Sequence, residues 1–178
     1  MTNIVVRVAE PDDADAMGRV HVEAWQAAYT GIMPEDFLTS LDATARAAEW
    51  RAVMERNPNP EEGRRLVAEL GDTVVGLALV WPGRQKDEKG LGELIMINTA
   101  PSAWGTGAGT ALLAGCVDGL TQLGFAEAVL WVAADNARAR RFYEREGWRT
   151  DGASKSDDFG GTIVEELRYR RSLCETSL

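Results

Sequence analysis

Three glycines alternate with small residues in the segment Trp104-Gly105-Thr106-Gly107-Ala108-Gly109. The segment follows a predicted strand and opens a predicted amphipathic helix. Glycine allows positive φ and a close approach of the backbone to a ligand, and the free N–H groups of a first helical turn lie at the positive end of the helix dipole. The segment therefore predicts a binding site for an anion such as phosphate. The alternative interpretation is a tight turn that binds nothing.

Two familiar phosphate-binding loops do not fit this segment. A mononucleotide P-loop ends in Gly-Lys-Ser/Thr, whereas the residues here are Gly109-Thr110-Ala111, with no lysine. The dinucleotide fingerprint belongs to a first strand-helix-strand unit, whereas this loop lies past the middle of the chain. An anion site of a third kind is therefore expected.

The elements that must position the loop follow the order β-α-α-β-β-β-α-β-α-β-β. An apolar strand, Leu94 to Thr99, leads through the loop and its helix to a second apolar strand, Ala128 to Val132. Such a crossover joins parallel neighbours. Turn signals at Gly71-Asp72 and Gly160-Gly161 predict antiparallel hairpins. We therefore expect an α/β (α+β) fold with a mixed, mostly antiparallel central sheet flanked by helices.

The first predicted helix carries His21, Trp25 and Tyr29 at positions i, i+4 and i+8, on one face. Aromatic faces hold cationic amines, so this face predicts a substrate-binding surface, although core packing explains Trp25 and Tyr29 equally well. A second helical region spans about residues 35–56 and is predicted to break near Leu41-Asp42.

Length, composition and charge limit the class of protein. The 178 residues are enough for one globular domain, and the net charge of −9 disfavours nucleic acid, because binding to a phosphate backbone needs a basic face. The charge favours a cationic or neutral small substrate, or it only keeps the surface soluble. Cys116 and Cys174 are far apart and predict neither a disulfide framework nor a metal site. Without a signal peptide or a membrane-length apolar stretch, we expect a soluble cytoplasmic protein.

A second motif lies downstream, where Asn136, Ala139, Phe142-Tyr143-Glu144 and Gly147-Trp148 form an N-x-x-A-x-x-F-Y-E-x-x-G-W pattern. Together with the glycine loop, this pattern resembles the GNAT superfamily of N-acetyltransferases. The resemblance covers about Leu91 to Arg170, and the N-terminal half matches in element order only. It implies one domain over residues 1–178, with an acceptor-side half of about 1–90 and a cofactor-binding half of about 91–170, and a sheet whose two central parallel strands splay apart.

The resemblance implies that acetyl-coenzyme A lies between the splayed strands. Its pantetheine arm would pair with the backbone of Ile97 to Thr99, and its pyrophosphate would rest on Gly105 to Thr110. The family prefers glutamine or arginine where this chain has Trp104, so the backbone is expected to hold the cofactor. The predicted cofactor-binding residues are Ile97, Asn98, Thr99, Trp104, Gly105, Thr106, Gly107, Ala108, Gly109, Thr110, Asn136, Ala139, Phe142 and Tyr143.

Helical spacing places Asn136, Ala139 and Tyr143 on one face and turns Phe142 toward the core. Four arginines on the same helix are either contacts for the ribose phosphate or a solvated face. They are Arg138, Arg140, Arg141 and Arg145.

The resemblance also implies catalytic roles for direct transfer of the acetyl group to an amine. Tyr143 matches the family tyrosine near the thioester sulfur and is the expected acid. The expected base is Glu93, at the start of the strand that faces the cofactor, and His21, the single histidine, is an alternative.

The expected acceptor is a small primary amine. The segment Trp25 to Pro34 is similar to that of small-amine acetylating family members, including polyamine-type ones. Two alternatives stay open: a sensor that binds acetyl-coenzyme A without transfer, and an enzyme that acts on a protein or peptide amino group. The expected partners are the amine and a second copy of the chain in a homodimer, with no nucleic acid, membrane or metal.

Overall fold

The computed structural model describes residues 3–173, so Cys174 lies outside the described residues. The strands and helices, in chain order, are β1 (Ile4–Val8), α1 (Ala14–Ala28), α2 (Glu35–Ser40), α3 (Ala43–Arg56), β2 (Arg64–Leu70), β3 (Thr73–Pro82), β4 (Gly92–Thr99), α4 (Ala108–Gln122), β5 (Glu127–Ala133), α5 (Ala137–Arg145), β6 (Arg149–Phe159) and β7 (Thr162–Ser172).

The strands form one sheet in the order β1-β2-β3-β4-β5-β7-β6. Every neighbouring pair is antiparallel except β4 and β5, which are parallel and are joined through α4. The predicted fold class and the predicted parallel neighbours are therefore confirmed.

Alternate residues of the central strands face opposite sides of the sheet, and each side has its own helices. On β2, Leu66 lies in the layer that contains Leu112 of α4 and Tyr143 of α5. Its neighbour Val67 lies in the opposite layer, with Met17 of α1. Each fully buried apolar side chain contributes roughly 1.5–3 kcal/mol, so these two layers hold α1, α4 and α5 against the sheet.

The predicted break in the second helical region is present, and Asp42 is its cause. Its carboxylate accepts hydrogen bonds from the backbone N–H of Thr44 (2.8 Å) and of Ala45 (3.2 Å). These N–H groups have no carbonyl partner within α3, and the carboxylate at the N-cap satisfies them. The short helix α2 therefore ends before α3 begins.

The parallel strands β4 and β5 are hydrogen-bonded only where they start. Gly92–Leu94 pairs with Ala128–Leu130, and beyond these residues the two strands diverge. β4 stays paired with β3 as far as Thr99, and β5 stays paired with β7 as far as Ala133. A gap therefore opens in the middle of the sheet at the carboxyl ends of its parallel strands, which is where open α/β sheets bind ligands.

Three further findings concern a buried cysteine, metal ligands and the length and polarity of the helices. Cys116 is buried in α4, and burial raises the pKa of its thiol, which keeps the thiol protonated and unreactive. Among residues 3–173, no three His, Cys, Asp or Glu side chains come together as metal ligands. Within the same range, every helix is too short or too polar to cross a bilayer.

Candidate active site

A cleft of about 930 Å³ opens where β4 and β5 separate. One wall is β4 from Leu94 to Thr99, followed by the glycine loop. Residues of α5, of the end of α1 and of the hairpin of β6 and β7 complete the lining. Residues that the sequence predicts to bind the cofactor and residues that it predicts to bind the acceptor therefore line the same cleft.

The glycine loop turns through two left-handed residues. Gly105 has φ of 79° and Gly107 has φ of 94°, which are conformations that side chains with a Cβ rarely adopt. Gly107 is the N-cap of α4 and has no side chain with which to cap this helix. Among the described residues, the backbone N–H groups of Gly109 and Thr110 have no hydrogen-bond acceptor. They remain available to an anion in the cleft.

Two of the predicted loop residues do not face the cleft. Thr106 donates its hydroxyl hydrogen to the carbonyl of Ala103 (2.7 Å) and serves the turn. Ala108 is fully buried beneath the loop. The cleft is instead lined by Trp104, Gly105, Gly107, Gly109 and Thr110.

Trp104 holds the start of the loop in place. Its indole N–H donates to the carbonyl of Thr99 (3.1 Å), the last residue of β4. Its ring lies beneath the guanidinium of Arg138, 3.2 Å from the ring centroid. Trp104 is therefore a platform for a cation at the mouth of the anion site, a role that the sequence did not suggest.

The four arginines of α5 do not act together. Arg138, Arg141 and Arg145 line the cleft. Arg140 turns away and donates to the hydroxyl of Tyr169 (3.1 Å) and to the carbonyl of Ala134 (3.1 Å). Three arginines thus border the cleft, and the fourth ties α5 to the sheet.

Asn136 is the N-cap of α5. Its side-chain oxygen accepts the backbone N–H of Ala139 (3.1 Å), so part of its function is structural. Both residues also line the cleft, together with Ile97, Asn98 and Thr99 on the opposite strand. The side-chain nitrogen of Asn98 is buried and, among the described residues, has no hydrogen-bond partner. A buried unpaired amide favours a ligand that carries carbonyl oxygens, as pantetheine does.

Tyr143 is buried on α5 and lines the cleft. Its ring lies 5.4 Å from that of Phe142 and 6.5 Å from that of Tyr169, measured between centroids. Burial raises the pKa of the Tyr143 phenol, and Tyr29 acts in the same direction, so the hydroxyl stays protonated and can donate. Phe142, which was predicted both to turn toward the core and to bind the cofactor, is half-buried and lines the cleft.

The three candidate acceptor residues, two in α1 and Tyr29 at its C-cap, divide into two groups. Trp25 and Tyr29 line the cleft, and their rings lie 4.8 Å apart between centroids. Burial raises the pKa of Tyr29 to about 12, as does the charge of Glu166. His21 is buried behind Trp25, with rings stacked at 5.5 Å, and does not line the cleft. Burial, helped by the charge of Arg46, lowers the pKa of His21 to about 4.

Glu93 does not face the cleft. It is buried, and its carboxylate accepts two side-chain hydrogen bonds from Arg84, at 2.9 Å and 2.7 Å. The Arg84 side chain itself lines the cleft. Because the carboxylate is taken up by this guanidinium and does not line the cleft, the geometry favours a supporting role for Glu93 over a direct one.

The structure adds a charged group that the sequence did not single out. Lys155, Asp157 and Glu166 come from the β6–β7 hairpin and line the cleft beside the rings of Trp131 and Phe159. Burial raises the pKa of Glu166 above its usual range, against the opposing charge of Lys155. The available signal was the alternation of β6, in which positions 155, 157 and 159 share one face.

Comparison with known proteins agrees with this geometry. The model of the acetyltransferase (GNAT) family matches residues 22–148. An uncharacterized N-acetyltransferase of Bacillus subtilis is 31% identical over 133 residues, which cover 75% of this chain and 73% of that protein. A mycothiol acetyltransferase of Parafrankia is 31% identical over 120 residues, which cover 67% of this chain but 33% of that protein.

The fold also matches a solved structure. The PaiA N-acetyltransferase of Thermoplasma acidophilum, in complex with coenzyme A, superposes with a TM-score of 0.75 at 18% identity and covers 96% of this chain and 99% of that one. The family resemblance predicted from the two motifs is confirmed, and with it the acetyltransferase class.

Proposed function

Because this chain belongs to the acetyltransferase (GNAT) family, we propose that it transfers the acetyl group of acetyl-coenzyme A directly to a primary amine of a small molecule. One observation carries the proposal: the glycine loop and an aromatic surface with two carboxylates open into the same cleft. The acetyl donor and the amine acceptor can therefore bind side by side in this cleft.

The donor half of the cleft suits a polyanionic cofactor. The unpaired N–H groups of Gly109 and Thr110, with the positive end of α4 behind them, would bind the pyrophosphate. Arg138, Arg141 and Arg145 would add charge-assisted hydrogen bonds to phosphate oxygens. The free edge of β4 and the amide of Asn98 would meet the amide groups of the pantetheine arm.

Tyr143 is the proposed acid. When the amine attacks the thioester carbonyl, the carbon–sulfur bond breaks and the leaving thiolate needs a proton. The Tyr143 hydroxyl is protonated at neutral pH because burial disfavours the phenolate. It lines the cleft on the helix whose first turn faces the cofactor.

Glu166 is the proposed proton acceptor for the incoming amine. Its carboxylate lines the cleft, and its raised pKa brings its basicity closer to neutral pH, where a general base works best. Glu93 would support the site by holding Arg84 at the cleft wall. His21 would serve the packing of Trp25 behind that wall.

The acceptor half of the cleft suits an amine that carries positive charge. Trp25, Tyr29 and Phe159 form an aromatic group, with the ring of Trp25 4.8 Å from that of Tyr29 and 5.9 Å from that of Phe159. Aromatic faces and carboxylates both attract ammonium groups, and here Asp157 and Glu166 supply the carboxylates. A polyamine-like acceptor fits this chemistry.

The test is a panel of amines assayed by release of the coenzyme A thiol. The panel contains aliphatic monoamines, di- and polyamines, and peptides with a free amino terminus, together with a reaction that lacks any acceptor. We expect turnover with small aliphatic amines and a preference for those with a second charge. Turnover with peptides alone would overturn the small-molecule assignment. Thermal stabilisation by coenzyme A without turnover on any amine would identify a binding domain instead.

A further inference from the structure

Lys155 places an ammonium group inside the cleft. Its Nζ lies 2.8 Å from Oδ2 of Asp157 and 3.2 Å from Oε2 of Glu166. It also lies 4.9 Å from the centroid of the Trp131 ring. Strand register contributes to this arrangement, because Lys155 of β6 is the direct partner of Glu166 on β7, and Asp157 is two residues further along the same face.

This ammonium group lies at the point where the two parallel strands separate. The last paired positions are Leu94 and Leu130, so Trp131 is the first residue of β5 that faces the gap. A cofactor with its pyrophosphate on the glycine loop and its arm along Thr99 to Ile97 runs toward this point. Its acyl end would therefore arrive beside the ring on which Lys155 rests.

Lysine is otherwise rare in this chain. The sequence contains three lysines, Lys86, Lys89 and Lys155. Lys86 and Lys89 are exposed in the segment before β4, whereas Lys155 is partly buried and lines the cleft. Acetylation of the two exposed lysines would therefore measure the uncatalysed rate, against which acetylation of Lys155 can be compared.

We propose that the active site acetylates its own Lys155. The proposal rests on the function proposed above, since the donor is acetyl-coenzyme A. The ammonium of Lys155 first gives one proton to the Glu166 carboxylate. The neutral amine then attacks the thioester carbonyl, a nitrogen–carbon bond forms and the carbon–sulfur bond breaks. The second amine proton balances the one that the leaving thiolate gains, and the products are acetyl-lysine, the coenzyme A thiol and one proton released to solvent.

Burial and neighbouring charges determine how readily Lys155 gives its proton to Glu166. Burial alone would lower the pKa of Lys155, but hydrogen bonds to Asp157 and Glu166 outweigh burial and raise it. Burial raises the pKa of Glu166, which makes this carboxylate the readier of the two to accept the proton. Once acetylated, Lys155 is neutral, and Asp157 and Glu166 lose their internal cation. An ammonium group of an acceptor would then take its place over Trp131.

The experiment incubates the purified protein with acetyl-coenzyme A and no amine, and follows each lysine by peptide mass spectrometry. We expect one acetyl group on Lys155, added at least about 100-fold faster than on Lys86 or Lys89, because a bound donor has a high effective concentration. The first-order rate should not change with protein concentration, and excess coenzyme A should slow the reaction. Lys155→Arg, which keeps a cation opposite Asp157 and Glu166, is the control and should gain no acetyl group in this peptide.

Two results would overturn the modification of Lys155 alone. One is an unmodified Lys155 in protein whose melting temperature coenzyme A raises, which would leave the proposed function intact. The other is acetylation of Lys155 at the rate of Lys86 and Lys89, which would be uncatalysed chemistry. Absence of any coenzyme A effect on melting would instead reject the proposed function itself, and the modification with it.

Discussion

The guanidinium of Arg138 lies 3.2 Å above the ring centroid of Trp104, so a cation from α5 is held over the first residue of the glycine loop. This contact joins the two motifs that the sequence shows as separate segments. It also explains how a tryptophan can stand where the family prefers a glutamine or an arginine. The guanidinium that an arginine would bring to this position comes here from the neighbouring helix.

Trp104→Ala should weaken coenzyme A binding by about tenfold, because a cation–π contact of this kind contributes roughly 1–2 kcal/mol and holds Arg138 in position. Isothermal titration calorimetry of coenzyme A gives the dissociation constant. Trp104→Phe keeps the ring and loses only the N–H bond to Thr99, so its affinity should stay close to that of the wild type. Equal losses in both variants would mean that the indole N–H, and not the stacked cation, is what matters.

Gly107→Ala should destabilise the fold by about 1–2 kcal/mol, because φ of 94° is unfavourable for any residue with a Cβ. It should also weaken coenzyme A binding, since the loop must relax away from the shape that presents its N–H groups. The matched control is Gly124→Ala, at φ of 90° and with open space around the new Cβ, beyond the other end of α4. Both variants should lower the melting temperature by a similar amount, but only Gly107→Ala should weaken coenzyme A binding.

Tyr143→Phe should lower kcat by roughly 100-fold or more, while coenzyme A binds nearly as before, because the variant removes only the proton donor. Since burial raises the pKa of this phenol, kcat should show no loss from Tyr143 ionisation up to about pH 10, the usual value for tyrosine. Steady-state kinetics across pH checks both points. Tyr169→Phe, which removes a hydroxyl bonded to Glu144 in the same layer, should reduce stability and leave kcat largely unchanged.

Glu166→Gln should lower kcat by roughly 100-fold, as expected for loss of a general base. In the wild type, kcat/KM should fall as pH falls through the pKa of Glu166, and this decline should begin above the ordinary glutamate range because burial raises that pKa. Glu93→Gln is the comparison. It removes the charge that holds Arg84 and should mainly reduce stability. A larger loss of kcat in Glu93→Gln than in Glu166→Gln would mean that Glu93, and not Glu166, is the general base.

His21 should make the protein sensitive to acid. Its pKa is lowered from 6.5 to about 4 by burial, so the unfolded chain binds a proton more readily than the folded one between these values. The free energy of unfolding should therefore be at its full value above about pH 6.5. It should fall by on the order of 3 kcal/mol as the pH falls toward 4. The control is His21→Phe, which keeps an aromatic ring against Trp25 and does not titrate. Urea unfolding at pH 7 and pH 4.5 should show the wild type losing more stability than the variant.

The sequence was a good guide to elements whose boundaries have local chemical causes. The break before α3 follows from the capping chemistry of Asp42, and the turns at Gly71 and Gly160 follow from positive φ. The glycine loop was recognisable for the same reason, since its function depends on backbone and not on a partner elsewhere in the chain.

The acceptor half was harder to predict, because it depends on contacts between distant segments. Glu93 looked like a base at the start of β4, but Arg84, from the loop before the strand, takes up its carboxylate. The sequence singles out neither Lys155 nor Glu166. Only the register of β6 against β7, and of β7 against β5, brings them to the gap.

The gap between β4 and β5 also has a mechanical consequence. On one side of it lie β1 to β4, and on the other lie β5, β7 and β6. Within residues 3–173, the backbone pairing between these two half-sheets is limited to Gly92–Leu94 and Ala128–Leu130. With three paired positions, this seam is the shortest pairing of the sheet, so we expect rotation about it to widen or narrow the cleft. A molecule that bridges both edges would stiffen the whole protein, so its departure would depend on how quickly the two half-sheets swing apart.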